Sequence, residues 1–88
     1  MNIRYKTSFL RSIKCITDNR IKTMIEEAIN SVKEAKAPDD IPELRKLRGY
    51  KKFFRIKVGD YRIGVSIEKG VVTLVVCLPR KDIYKGFP

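Results

Sequence analysis

Histidine is absent from this chain of 88 residues, and only two cysteines occur, Cys15 and Cys77. They lie 62 positions apart with no Cys-x-x-Cys spacing, so neither a zinc site nor a Cys–His catalytic pair has its parts. Both thiols are expected to be buried hydrophobes in a reducing compartment. No run of about 18 apolar residues is available to span a bilayer. The start, with Arg4 and Lys6 close by, lacks the apolar core of a secretory signal. The expectation is a cytoplasmic protein that stays where it is made. Internal repeats, linkers and low-complexity segments are also missing, and the length leaves room for one domain over residues 1–88. A domain of this size buries only about 60 to 65% of its unfolded surface.

Negative charge is scarce where it matters. Residues 1–44 carry eight Lys/Arg against seven Asp/Glu, while residues 45–88 carry twelve against three, so the second half holds +9 of the net +10. With 43% apolar and 34% charged residues the balance is that of a folding chain rather than a disordered one. A one-sided positive field weakens the compact state by self-repulsion, which points to a polyanionic partner rather than to a merely soluble surface.

Asn2 to Lys6 alternates as a short strand, and Thr7 or Ser8 offers an N-cap for a helix bearing Phe9, Ile13 and Ile16 one turn apart. Thr17-Asp18-Asn19 ends it and caps a second helix. There Ile21, Met24, Ile25, Ala28, Ile29 and Val32 repeat as an apolar stripe. Ala37-Pro38 stops that helix, and loop chemistry follows to Pro42. Arg45-Lys46-Leu47-Arg48 then reads as a basic amphipathic turn, either snorkelling over the core or binding phosphate.

From Phe53 the apolar period becomes two. Phe54, Ile56 and Val58 face inward, Gly59-Asp60 makes a two-residue turn, and Ile63, Val65 and Ile67 continue the inward face. Lys69-Gly70 makes a second turn, and Val71 to Leu78 reads as a central strand covered on both faces. The predicted fold is α+β: a short N-terminal strand, a two-helix hairpin, then an antiparallel three-stranded meander, all in one sheet with the helices on one face.

The first turn fixes a register. Val58 pairs with Tyr61, so Lys57 lies opposite Arg62, with Arg55 two residues away on the same outward face. Like charges directly opposed are destabilising, so folding alone does not favour the pair. The second turn, taken without a bulge, pairs Arg62 with Cys77. Pro79 cannot donate to the ladder, so Arg80 is expected to leave the sheet and swing over the cationic face, with Tyr84 following. These outward cations are expected to contribute little to stability.

Such a set suits phosphodiester chemistry. Arginine offers phosphate oxygens a planar fork of donors, and a lysine crowded by cations can give up its proton as a base must. A tyrosine ring can stack on a base, and RNA brings its own nucleophile in the 2′-hydroxyl, so no metal or other cofactor is needed. The plainer alternative is a solvated basic strand face. Tyr84 equally fits an anchor for the C-terminal tail, and Phe53 and Phe87 read as packing residues.

Leu47-Arg48-Gly49, Phe54-Arg55-Ile56-Lys57-Val58-Gly59-Asp60-Tyr61-Arg62-Ile63 and Arg80-Lys81-Asp82-Ile83-Tyr84 together resemble the signature of the RelE branch of the RelE/ParE toxin superfamily. The resemblance spans nearly the whole chain. It implies a toxin of a type II toxin–antitoxin system that cuts messenger RNA in the ribosomal aminoacyl site, leaving a 2′,3′-cyclic phosphate, until an acidic, partly disordered antitoxin from the same operon sequesters it. It further implies that Lys57 and Arg55 activate the hydroxyl and steady the phosphate, that Arg62 stabilises transition-state charge, that Arg80 acts near the leaving oxygen, and that Tyr84 stacks on the substrate base. Arg48, Lys51, Lys52 and Lys81 would add RNA-binding charge.

Two departures qualify it. Pro79 stands where many relatives have histidine, so acid and base work falls to Lys and Arg, whose ordinary pKa values suit pH 7 poorly. Free RNA would then be cut slowly and the ribosome would do the positioning. The chain also ends four residues past Tyr84, with little room for the extra C-terminal helix of some relatives. Rival functions on the same frame are gyrase inhibition, as in the ParE branch, and non-catalytic RNA binding.

Overall fold

The computed structural model describes all residues, 1–88. In chain order the elements are β1 (Asn2–Tyr5), α1 (Thr7–Lys14), α2 (Asn19–Glu34), a 3-10 turn (Pro38–Asp40), β2 (Leu44–Lys46), β3 (Phe53–Val58), β4 (Tyr61–Glu68), β5 (Val71–Pro79) and α3 (Ile83–Gly86). The five strands form one sheet in the order β1-β5-β4-β3-β2. β1 runs parallel to β5, and every other pair is antiparallel.

Local chemistry accounts for most boundaries. Asp18 caps α2, its side chain accepting from the Arg20 N–H at 2.9 Å, which satisfies one of the orphan donors of a helix start. α1 begins one residue earlier than its hydroxyls suggested. Lys6 is its N-cap and makes no side-chain cap bond, its ammonium having no acceptor, while Ser8 Oγ donates to the Val75 carbonyl of β5. Gly59 takes φ +57° at the first turn, and Lys69 and Gly70 take +48° and +78° at the second, the left-handed values that tight hairpin loops require.

α1 and α2 pack on one face of the sheet, α1 against β5 and α2 against β3 and β1. Between them lie Phe9, Ile25, Val32, Ile56, Ile63, Val65, Val72 and Leu74, all buried. Full burial of each such side chain contributes about 1.5 to 3 kcal/mol.

The opposite face differs from expectation in three ways. First, the basic turn at Leu44–Lys46 is a strand, which extends the expected sheet by one edge element. Second, β5 carries a bulge: Val65 pairs with Leu74 but Gly64 pairs with Val76, leaving Val75 unmatched. Arg62 therefore faces Leu78 rather than Cys77. The extra residue reverses the pleat, turning Cys77 into the helix-side core and putting Val76 and Leu78 on the outer side. Third, there is room for a single C-terminal turn, α3. Ile83 and Phe87 join Leu47 in a small second core with Phe53, Val76 and Leu78.

One thiol departs from its expected place. Cys77 is buried, and burial pushes its pKa up to about 12. Cys15 is exposed as the C-cap of α1.

Candidate functional site

On the outer face of the sheet the registers of β2, β3 and β4 build two rows of side chains. Lys57 pairs with Arg62, and two residues further along β3 Arg55 pairs with Arg45 on one side and Gly64 on the other. Directly opposed residues share a face, with Cβ atoms roughly 4.5 to 5.5 Å apart. Four cations thus occupy adjacent rows separated by roughly 6.6 Å along the strand. None has an acidic partner, because the chain forms a single ion pair, Lys52 Nζ to Glu68 Oε1 at 3.3 Å.

Arg62 is not the solvated side chain expected of an outward cation. It is 7% exposed, and Nη1 donates to the carbonyls of Gly59 and Tyr61, both at 2.9 Å. Its neighbours Gly64 and Leu78 are covered by the C-terminal segment, which is why the arginine stem is buried. No buried side-chain nitrogen lacks a hydrogen bond. The remaining guanidinium nitrogens, which have no protein partner, are therefore not fully enclosed. Lys57 is exposed and Arg55 half-buried.

Arg80 is fastened at the same end. Its backbone N–H donates to the Asp60 carbonyl at 2.8 Å, so the chain leaves β5 beside the Gly59-Asp60 turn that also receives Arg62. Its side chain is exposed, as is that of Lys81. Tyr84 stands on α3 and is 64% exposed. The anchors of that tail are Ile83 and Phe87, not Tyr84. Phe87 is buried with its ring edge-on to Phe53 at 5.5 Å between centroids, and a Cβ on Gly64 would stand only 2.6 Å from it.

The other basic residues lie apart. Lys52 precedes β3, five residues from Lys57 or roughly 17 Å along an extended strand. It is engaged by Glu68 and by the Phe53 ring, 5.4 Å from its centroid. Arg48 and Lys51 sit in the loop joining β2 to β3, at that same end. From the sequence Arg45 was read only as part of a basic turn that snorkels or binds phosphate, not as a member of the outer-face cluster. Its signal is legible only once Leu44–Lys46 is known to be a strand, since the pairing then sets it against Arg55.

The family described as the ParE toxin of type II toxin–antitoxin systems, parDE, matches residues 3–84. Toxin RelE3 of Methanocaldococcus jannaschii is 33% identical, with all of both chains covered. The toxin in the RelB–RelE antitoxin–toxin complex from Methanococcus jannaschii superposes with a TM-score of 0.68 at 32% identity, covering 97% of this chain and 99% of that one. The archaeal RelE–RelB complex from Pyrococcus horikoshii OT3 gives 0.71 at 16% identity, over 93% and 97%, a likeness of fold.

Proposed function

The chain belongs to the RelE-type toxins of the ParE toxin family of type II toxin–antitoxin systems, and from that premise we propose that it stops translation by cutting messenger RNA in the ribosomal aminoacyl site. The observation that carries this reading is the opposed pair Lys57 and Arg62, flanked by Arg55 and engaged in no ion pair. Like charges held that close are stabilised when a phosphate lies between them.

The RNA 2′-oxygen attacks the adjacent phosphorus, and its proton passes to Lys57 acting as the neutral amine, while Arg55 helps to steady the phosphate. Arg62 meets the extra negative charge of the transition state with donors already fixed by the turn, the preorganisation that makes such contacts effective. The 5′-oxygen departs with a proton supplied at Arg80, leaving a 2′,3′-cyclic phosphate, while Tyr84 stacks on the base. Arg48, Lys51, Lys52 and Lys81 add charge toward RNA or ribosome. An acidic antitoxin that folds on binding is the partner expected to silence this surface, as RelB accompanies the RelE of the two archaeal complexes.

Primer extension on a translated messenger tests the proposal. Discrete stops within codons, lost in Lys57→Ala, are the expected result. Inhibition of gyrase supercoiling with translation unaffected would overturn it.

A further inference from the structure

The two cationic rows do not end at the scissile-phosphate site. The second row, Arg45 against Arg55, leads toward the β2–β3 loop. The Leu47 N–H bonds the Phe53 carbonyl at 2.9 Å, which continues the β2–β3 pairing past Lys46. Phe53 belongs to the outer face, and Tyr50 leans edge-on against it with centroids 5.6 Å apart. Tyr50 nevertheless stays 46% exposed. The loop around it encloses an open concavity of about 470 Å³ lined by Lys46, Leu47, Arg48, Gly49, Tyr50 and Lys51. A held aromatic ring among cations that lack carboxylate partners is the chemistry of a stacking platform beside a phosphate-binding groove.

We propose that Arg45 and Tyr50 form a second RNA subsite, in which Arg45, at the far end of the row it shares with Arg55, receives the phosphate next to the scissile one and the Tyr50 ring stacks on a base further along the strand. The row spacing of roughly 6.6 Å along β3 is on the scale of one step of an extended RNA backbone. Charge and ring follow one another in order from the Gly59-Asp60 turn to the loop, so a single strand laid across β3 meets phosphate sites first and a base site after them. RNA is favoured over a protein occupant because the row is cationic and engaged in no ion pair, and the exposed Tyr50 ring stands among lysines and arginines. The inference rests on the nuclease reading only for which phosphate is cut.

The test is direct binding, measured by fluorescence anisotropy on a short labelled adenosine oligonucleotide with 2′-O-methyl sugars that block cleavage. Arg45→Gln is expected to weaken binding about tenfold and to lower the slope of log affinity against log salt by about 0.7. Tyr50→Ala is expected to weaken it by about tenfold with that slope unchanged, and Tyr50→Trp to restore it. Wild-type affinity in both Arg45→Gln and Tyr50→Ala, with messenger still cut by the unaltered protein, would overturn the subsite and spare the nuclease. These losses in a protein that cuts no messenger would uphold the subsite and remove the nuclease. Loss of binding to an acidic antitoxin alone, with RNA binding intact, would reassign the surface to protein docking and overturn the proposal.

Discussion

Arg62 donates from Nη1 to the Gly59 and Tyr61 carbonyls, so its removal has a structural cost that removal of Lys57 does not share. Arg62→Ala deletes two hydrogen bonds at a half-covered turn, which costs about 1 to 3 kcal/mol, offset in part by relief of the repulsion from Lys57. Lys57 is exposed and makes no side-chain hydrogen bond, and Lys57→Ala is expected to leave urea stability within about 0.5 kcal/mol of the starting protein. Chemical denaturation separates them: equal midpoints would contradict the structural share assigned to Arg62. The thiols make a second contrast. Burial holds Cys77 near 12, so its thiolate fraction at pH 8 is roughly a thousandfold below that of an ordinary thiol. A maleimide added to the folded protein should label one site, Cys15. Two labels without denaturant would mean that β5 opens.

Among the elements, the C-terminal tail and the bulge decide what the outer face presents. Phe87 lies on Gly64, where a methyl group would meet three ring carbons at 2.6 to 2.7 Å. The ring also packs edge-on against Phe53. Gly64→Ala is therefore expected to lift the tail and to destabilise the fold by about 1 to 3 kcal/mol. Faster proteolysis after Lys85 than in the starting protein would report the lifting, and an unchanged rate would place the contact elsewhere. Both hairpins were legible in the sequence because Gly59-Asp60 and Lys69-Gly70 state their turn types locally, and the Lys57–Arg62 pair followed from the first of them. The bulge was not, since Val75 and Val76 are chemically alike and only the Ser8 hydroxyl on a distant helix marks which one stands out of the ladder. Nor was β2. Three residues, two of them cationic, show no alternation, and what makes them a strand is the β3 edge beside them. With β2 unseen, Arg45 had no partner from which its place could be read. The burial of Arg62 depended on the tail and was hidden for the same reason.

Across the whole molecule, +9 of charge lies in the second half of the chain against one ion pair in the structure, and this imbalance makes stability and binding respond to salt in opposite directions. Lengthening the Debye screen from about 8 Å at 0.15 M salt to about 30 Å at 0.01 M lets Arg45, Arg55, Lys57 and Arg62 repel one another, so the free protein should melt at a lower temperature in dilute buffer than at physiological salt. On the proposed reading RNA binds the folded rows more strongly than the unfolded chain, so it should stabilise by mass action. That gain shrinks as salt rises, because the counterions released on binding are then less dilute. Thermal melts with and without a non-cleavable oligoribonucleotide should accordingly converge as salt increases, the free protein rising while the stabilisation by RNA falls. If the free protein instead lost stability with added salt in this low range, the repulsion would not be a governing term, and the cations without ion pairs would need another explanation than the proposed recognition of phosphate.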